Sequence, residues 1–508
     1  MLNTQLRWPR LLVGIGAIVL VGCVVVAAVV TLQDEQQGAH RSPEPQVEAA
    51  QTTATSARPL EPLAAQAAPA SDTDVLDIAV DPTSTHQTIR GFGAAMTHSS
   101  AQLLAELPSD TRQALLEELF SPEGPARLSA VRVPIGASDF IPGEPFTLDD
   151  VGPGESDWQL ERFDLSTDRE ALLPVLRQIV DINPEVTIIA SPWSPPAWLK
   201  TGGSLEGGRL LDEDRAYESY ANYLVEFVQD YGRAGIDVDY LTVQNEPQLR
   251  HPDGYPGTDM PFWQAATLIG RLGPALREAG LATKILGFDH NWELNPSDAA
   301  ATPAGEDPAY QYAADLLHTD ASEWITGTAY HCYYGDAASM TRLWEQFPEQ
   351  ELWVTECSGS HALGDPPATV FANTLAWQSD RLLVASLRNR ASAVLTWNLA
   401  LDNGGGPHHG GCSTCTGVVT IQDGALSVRN AEYAVLAQVA RYVPVGSVRV
   451  ESTVVDLPNV AFHTPTGRTV VVVWNPSENA RPVAVGDGLT TVHAELAGQS
   501  LATLAWGA

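Results

Sequence analysis

The sequence predicts an α/β protein: a (β/α)8 barrel of the TIM-barrel type with an appended antiparallel β-sandwich domain. Two observations carry this. Between residues 89 and 441, eight short apolar or β-branched runs alternate with stretches of helical pattern, and eight strand–helix units are what a closed barrel requires. After about Arg441 the texture changes to short β-rich segments separated by Pro, Gly and Asn, which reads as a sandwich.

The barrel strands are expected at Ile89–Ala95, Ser129–Ile135, Val186–Ala190, Tyr240–Gln244, Lys284–Phe288, Ile325–Tyr330, Leu352–Thr355 and Ala393–Trp397. Helices are expected between them at Leu103–Leu119, Arg169–Val180, Arg215–Tyr231, Trp263–Glu278, Ala309–Leu317, Ala337–Phe347 and Ala368–Leu387. Gly232 and Gly280 stand where helix C-caps belong. An open doubly wound sheet is the rival, but it wants a Gly-rich phosphate loop after its first strand. Gly91-Phe92-Gly93-Ala94 lacks the third glycine and reads as a tight turn. Residues 442–508 supply the sandwich, and a strand within 75–88 joins it from the other side of the barrel.

The N-terminus reads as an export segment. Arg7 and Arg10 precede an uncharged, mostly apolar run from Leu11 to Leu32. At about 1.5 Å of rise per residue this run can span a bilayer, so residues 1–32 are a signal peptide or a membrane anchor. The rest of the chain is then extracellular or on the cell surface, and touches membrane only through this segment. Leu20-Val21-Gly22-Cys23 resembles a lipoprotein box and Val26-Ala27-Ala28 a small-residue cleavage site, so retention, cleavage and lipidation all stay open. Residues 33–74, rich in Ala, Pro, Thr, Gln and Glu, read as a disordered tether.

Composition narrows the function. The 508 residues hold 28 Lys and Arg against 62 Asp and Glu, a net charge of −34, with Lys200 and Lys284 the only lysines. Such a surface repels nucleic acid and leaves neutral partners such as sugars. Cys412 and Cys415 form a C-x-x-C in a Gly-rich loop, which in an exported chain reads as a local disulfide. A zinc site would need a second ligand pair, and the adjacent His408 and His409 point apart. Cys332 and Cys357 read as free, buried thiols.

Barrel chemistry sits at the C-terminal ends of the strands. There the sequence places Ser138-Asp139-Phe140, Ser191-Pro192-Trp193, Asn245-Glu246-Pro247, Asp289-His290-Asn291-Trp292, His331-Cys332-Tyr333, Glu356-Cys357-Ser358 and Trp397-Asn398. Two carboxylates, several aromatics and amide or imidazole donors are what a glycosidic bond and its sugar require. Glu246 and Glu356, about three βα units apart, face each other across the barrel mouth.

Four segments, in this order along the chain, resemble family 30 of the glycoside hydrolases: Gly91-Phe-Gly-Ala-Ala-Met-Thr97, Ser191-Pro-Trp-Ser-Pro-Pro-Ala-Trp198, Leu241-Thr-Val-Gln-Asn-Glu-Pro247 and Trp353-Val-Thr-Glu-Cys-Ser-Gly359. That family holds glucosylceramidases, endo-β-1,6-glucanases and some xylanases, all retaining β-glycosidases of clan A. The resemblance implies Glu246 as acid/base and Glu356 as nucleophile, with Arg132 beneath the nucleophile. It implies Asn245 on the glycone 2-hydroxyl, Asp139 on more distant hydroxyls, Trp193 and Trp397 lining the glycone pocket, and His331 and Tyr333 bonding near the nucleophile. Glu246 should be protonated near working pH. The expected reaction is double displacement on a β-glucan, β-1,6-linked, with no metal and no organic cofactor. The alternatives are glucosylceramide or another β-glycoside as substrate and, in a different class, a catalytically silent carbohydrate-binding protein on the cell surface. The Cys412–Cys415 loop departs from the family pattern and is expected at the rim of the aglycone subsite.

Overall fold

The computed structural model describes residues 46–56, 58–71, 76–250, 254–306, 309–454 and 456–507. The export segment, Cys23 and the first part of the expected tether lie outside these residues. No helix among the described residues is long and apolar enough to cross a membrane.

Eight parallel strands close into a barrel: β1 (Gly91–Ala95), β2 (Ala130–Ile135), β3 (Thr187–Pro192), β4 (Tyr240–Thr242), β5 (Lys284–Asn291), β6 (Ile325–His331), β7 (Glu351–Glu356) and β8 (Ala391–Thr396). Each pairs with its neighbour in sequence, and β8 returns to β1 through the register Ala393↔Gly91 to Thr396↔Ala94. β1, β2 and β8 are buried along their whole length. Helices cover one face of such strands and the barrel core the other, which is why they read as unbroken apolar runs. Ala130, Ile189, Tyr240, Leu286, Ala329, Trp353, Ala393 and Leu395 form one buried cluster on the strands. The Tyr240 and Trp353 rings meet at 4.4 Å. Gly93 lets β1 and β2 approach, since a Cβ there would sit 1.8 Å from the Ala130 carbonyl oxygen.

The first connection departs from expectation. It holds two helices, His98–Glu106 and Ser109–Phe120, instead of one. Pro108 stands between them and cannot supply the N–H that would continue the first. Gly280 adopts the left-handed conformation just past the helix Phe262–Glu278, but Gly232 lies inside the helix Asp214–Arg233, and the left-handed turn falls at Gly235.

The sandwich strands come from both sides of the barrel. Ile78–Thr88 pairs with Val448–Ser452, and Asn459–His463, Thr469–Asn475, Arg481–Gly486, Thr490–Leu496 and Ser500–Gly507 complete the C-terminal set. One expectation is overturned here. Much of the presumed tether is strand: Gln46–Thr53 pairs antiparallel with Ser500–Gly507 over its whole length, and Ala65–Pro69 pairs with Thr490–Leu496. The reason is that these segments close existing sheet edges. The sheet supplies the backbone partners, and small side chains such as Ala49, Ala50 and Ala67 suffice for the covered face. The helix Ala431–Ala440, buried at every position, ties this layer to the rest: Gln438 Nε2 donates to Thr52 Oγ1 at 3.2 Å and Thr503 donates to the Gln438 carbonyl.

Candidate active site

The barrel mouth opens into a cleft of about 780 Å³, lined among others by Asp139, Glu246, Tyr255, His290, Tyr333, Glu356, Trp377, Trp397 and Cys412. That size is in the range of small-molecule sites.

Arg132, fully buried on β2, organises the floor. Its Nη1 donates to Glu356 Oε2 at 2.6 Å, and its Nη2 to Asp289 Oδ2 at 2.9 Å and Asn245 Oδ1 at 2.8 Å. The guanidinium also lies 4.9 Å from the Trp193 ring centre and 5.6 Å from that of Trp397. Burial disfavours its charge, but Asp289 and Glu356 more than compensate and raise its pKa further. Glu356 ends β7 and accepts a second bond from Tyr333 Oη at 2.9 Å.

Glu246 follows β4 in a left-handed backbone conformation, φ +44°, and Asp289 on β5 shares it at φ +70°. Such residues cost on the order of 1–3 kcal/mol each and persist where their surroundings fix them. Here Glu246 N–H donates to the Asp289 carbonyl at 2.9 Å and Asn245 N–H to that of Pro192 at 2.7 Å. The Glu246 Oε1 lies 3.0 Å from His331 Nδ1 and 3.6 Å from His290 Nδ1. The same His331 Nδ1 stands 3.9 Å from Glu356 Oε1. The two carboxylate oxygens therefore lie no more than about 7 Å apart, a bound that admits the retaining spacing of about 5–5.5 Å and excludes the wider inverting separations.

His331 stands near the nucleophile, as expected, but its ring does not line the cleft. It is fully buried beneath Glu246, and its Nε2 lies 3.2 Å from Asp289 Oδ1. Burial pulls its pKa down, but the charge of Glu356 and the bonds to Asp289 and Glu246 lift it to about 10. For Glu246, burial pushes upward, yet His290 and His331 outweigh it and hold the carboxyl well below the usual range. These shifts favour the shared proton on His331 over Glu246, where it was expected. Glu246, His290 and His331 have ligand atoms within 4.8 Å of one another, a spacing a metal could use. The fit is poor, because a His331 ring flanked by carboxylates on both nitrogens keeps the proton that a metal would have to displace.

The remaining expected residues divide. Trp397 walls the cleft, while Trp193, only 2% exposed, lies stacked on it at 5.3 Å between ring centres and is not among the lining residues. Asn245 spends its carbonyl oxygen on Arg132, leaving its NH2 for a ligand. Asp139 is buried at the cleft wall, and burial together with the charges of Glu356 and Glu246 raises its pKa well above the ordinary value. Cys412 and Cys415 are joined, Cα atoms 5.6 Å apart. Cys332 and Cys357, expected free, are joined too. They follow directly on β6 and β7, where His331 pairs with Glu356, so the parallel register carries their Cα atoms to 5.3 Å.

Asp289 and His290 are site residues that sequence reasoning missed. Asp289 receives Arg132, Ser191, Thr242 and Thr355 in addition to His331. Burial opposes its charge, but Arg132 and these donors hold its pKa well down. Both residues stand at a strand end that the sequence already pointed to; their aim depends on barrel register. The exposed aromatics Tyr334 and Trp377 on the outer cleft had no signal beyond being aromatic.

Residues 89–428 match the glycosyl hydrolase family 30 TIM-barrel domain, and residues 446–504 the family's beta sandwich domain. The chain belongs to glycosyl hydrolase family 30. This family 30 glycosidase is 32% identical over 418 residues to an endo-1,6-beta-D-glucanase of Neurospora crassa, covering 80% of this chain and 79% of the relative. It is 27% identical over 447 residues to the lysosomal acid glucosylceramidase of Mus musculus, covering 84% and 83%. Among solved structures, the endo-beta1,6-glucanase BT3312 superposes with a TM-score of 0.79 at 29% identity, covering 91% of this chain and 99% of that one.

Proposed function

We propose that this family 30 glycosidase hydrolyses β-1,6-linked glucan with retention of configuration, Glu356 as nucleophile and Glu246 as acid/base. The observation that carries the mechanism is the convergence of both carboxylates on His331 Nδ1. In the first step Glu356 attacks the anomeric carbon, and the departing oxygen takes a proton from Glu246. In the second, Glu246 takes a proton from water, whose oxygen displaces the Glu356 ester. Arg132 and Tyr333 orient Glu356 for attack. The donated proton is drawn from the Glu246–His331 pair. When Glu356 loses its charge to the sugar, the strongest of the attractions that keep His331 charged goes with it, and the proton shifts toward Glu246.

The substrate reading is supported by the relatives: those named endo-1,6-β-glucanases match at 31–32% identity, the glucosylceramidases at 25–28%. The basic flank and apolar run at residues 1–32 support an exported enzyme that meets its polysaccharide outside the cell. Incubation with β-1,6-, β-1,3- and β-1,4-glucans and with glucosylceramide, followed by product analysis, tests the proposal. Release of β-1,6-linked oligosaccharides or glucose from the first alone is expected. Turnover of glucosylceramide without β-1,6-glucan would overturn the substrate, and inactivity on every β-glycoside would leave a binding protein.

A further inference from the structure

We propose that the loop closed by Cys412–Cys415 is the specificity-determining wall of the glycone pocket, acting through Asp139. This deepens the reading above and rests on it. The loop after β8 was expected at the aglycone rim, but its backbone lies against Asp139. His409 N–H donates to the Asp139 carbonyl at 2.7 Å, and a Cβ on Gly411 would fall 2.4 Å from Asp139 Oδ2. Gly411 also has a left-handed φ of +67°. Only glycine lets the loop lie this close without pushing the carboxyl aside.

The disulfide belongs to the same wall. Cys415 is buried in one cluster with Phe140, Trp193 and Trp397, and Cys412 packs on its edge. Cys415 also bridges to Ser360 in the loop that follows Glu356. On the far side the loop is not backed by core: Asp402, Gly405, Cys415 and Thr416 line a second cavity of about 270 Å³. Cys415 apart, most of residues 402–414 between these two cavities are half-buried or exposed. The Cys412–Cys415 bond and the Ser99 Oγ bond to the Pro407 carbonyl, 2.7 Å, supply what packing does not. Asp139 and Gly411 are thereby positioned against whichever glycone hydroxyl reaches them.

The test is a cycle between loop and substrate. Wild type, G411A and C412S/C415S are assayed on 4-nitrophenyl β-glucoside and on its 3-, 4- and 6-deoxy counterparts. In wild type, deletion of the hydroxyl that meets Asp139 is expected to cost about tenfold in kcat/KM. In both variants KM for the parent glucoside is expected to rise about tenfold with kcat within about threefold, and the same deletion to cost no more than about twofold. Unchanged KM with the full deoxy penalty retained would overturn the proposal. So would an equal loss of kcat on all four glucosides accompanied by a lower Tm, which is the mark of a structural role. A wild type that hydrolyses neither these glucosides nor β-1,6-glucan would instead overturn the glycosidase reading of the cleft.

Discussion

At the residue scale, the chemistry depends on where one proton rests. His331 lies between Glu246 and Asp289, so its imidazolium is favoured up to about pH 10, while Glu246 stays ionised far into acid. Loss of the carboxyl proton donor in Glu246→Gln is expected to lower kcat/KM on β-1,6-glucan by about 10²–10⁴-fold. On 2,4-dinitrophenyl β-glucoside, whose leaving group needs no proton, the first step should be nearly untouched. Equal losses on both substrates would remove Glu246 from the acid role. The pH dependence follows from the sign of the His331 shift. The folded imidazole keeps its proton until pH rises through about 10, against about 6.5 for the unfolded chain. Wild-type kcat/KM on β-1,6-glucan is therefore expected to hold through neutral pH and fall on the alkaline side, and His331→Gln to move that fall to lower pH. An alkaline limb that stays in place in the variant would contradict the shared proton. The same sign applies to stability: the imidazolium's contribution fades between those two pH values.

At the element scale, the strands and the reacting pair were legible in the sequence because their causes are local. β1 to β8 show themselves as apolar runs, since both faces of each are covered. Glu246 and Glu356 show themselves by position, the first just past β4 and the second at the end of β7. What stayed hidden depends on register. Asp289 is aimed at Arg132, and Cys332 is brought to Cys357, by pairings between strands that no single run reveals. The same holds for Gln46–Thr53. Its composition resembles a tether, and only the waiting edge of Ser500–Gly507 makes it a strand. Removal of residues 46–56 is expected to expose that edge and lower Tm by several degrees, with aggregation on heating. An unchanged melting curve would show that the strand adds nothing.

At the scale of the whole molecule, barrel and sandwich behave as one body. The chain's two flanks meet in a single sheet, and the helix Ala431–Ala440 is buried against both layers. Rigidity of this kind serves the site, because the reacting groups come from distant strands: Arg132 on β2, Glu246 after β4, Asp289 on β5, His331 on β6 and Glu356 on β7. A closed cylinder is what holds two remote carboxylates within reach of one sugar carbon. The most direct test is to trap the intermediate with 2,4-dinitrophenyl 2-deoxy-2-fluoro-β-glucoside and map the adduct by mass spectrometry. One fluoroglucosyl group on the Glu356 carboxylate is the expected result; a label on another residue, or a first product of inverted configuration, would contradict the paired-carboxylate mechanism.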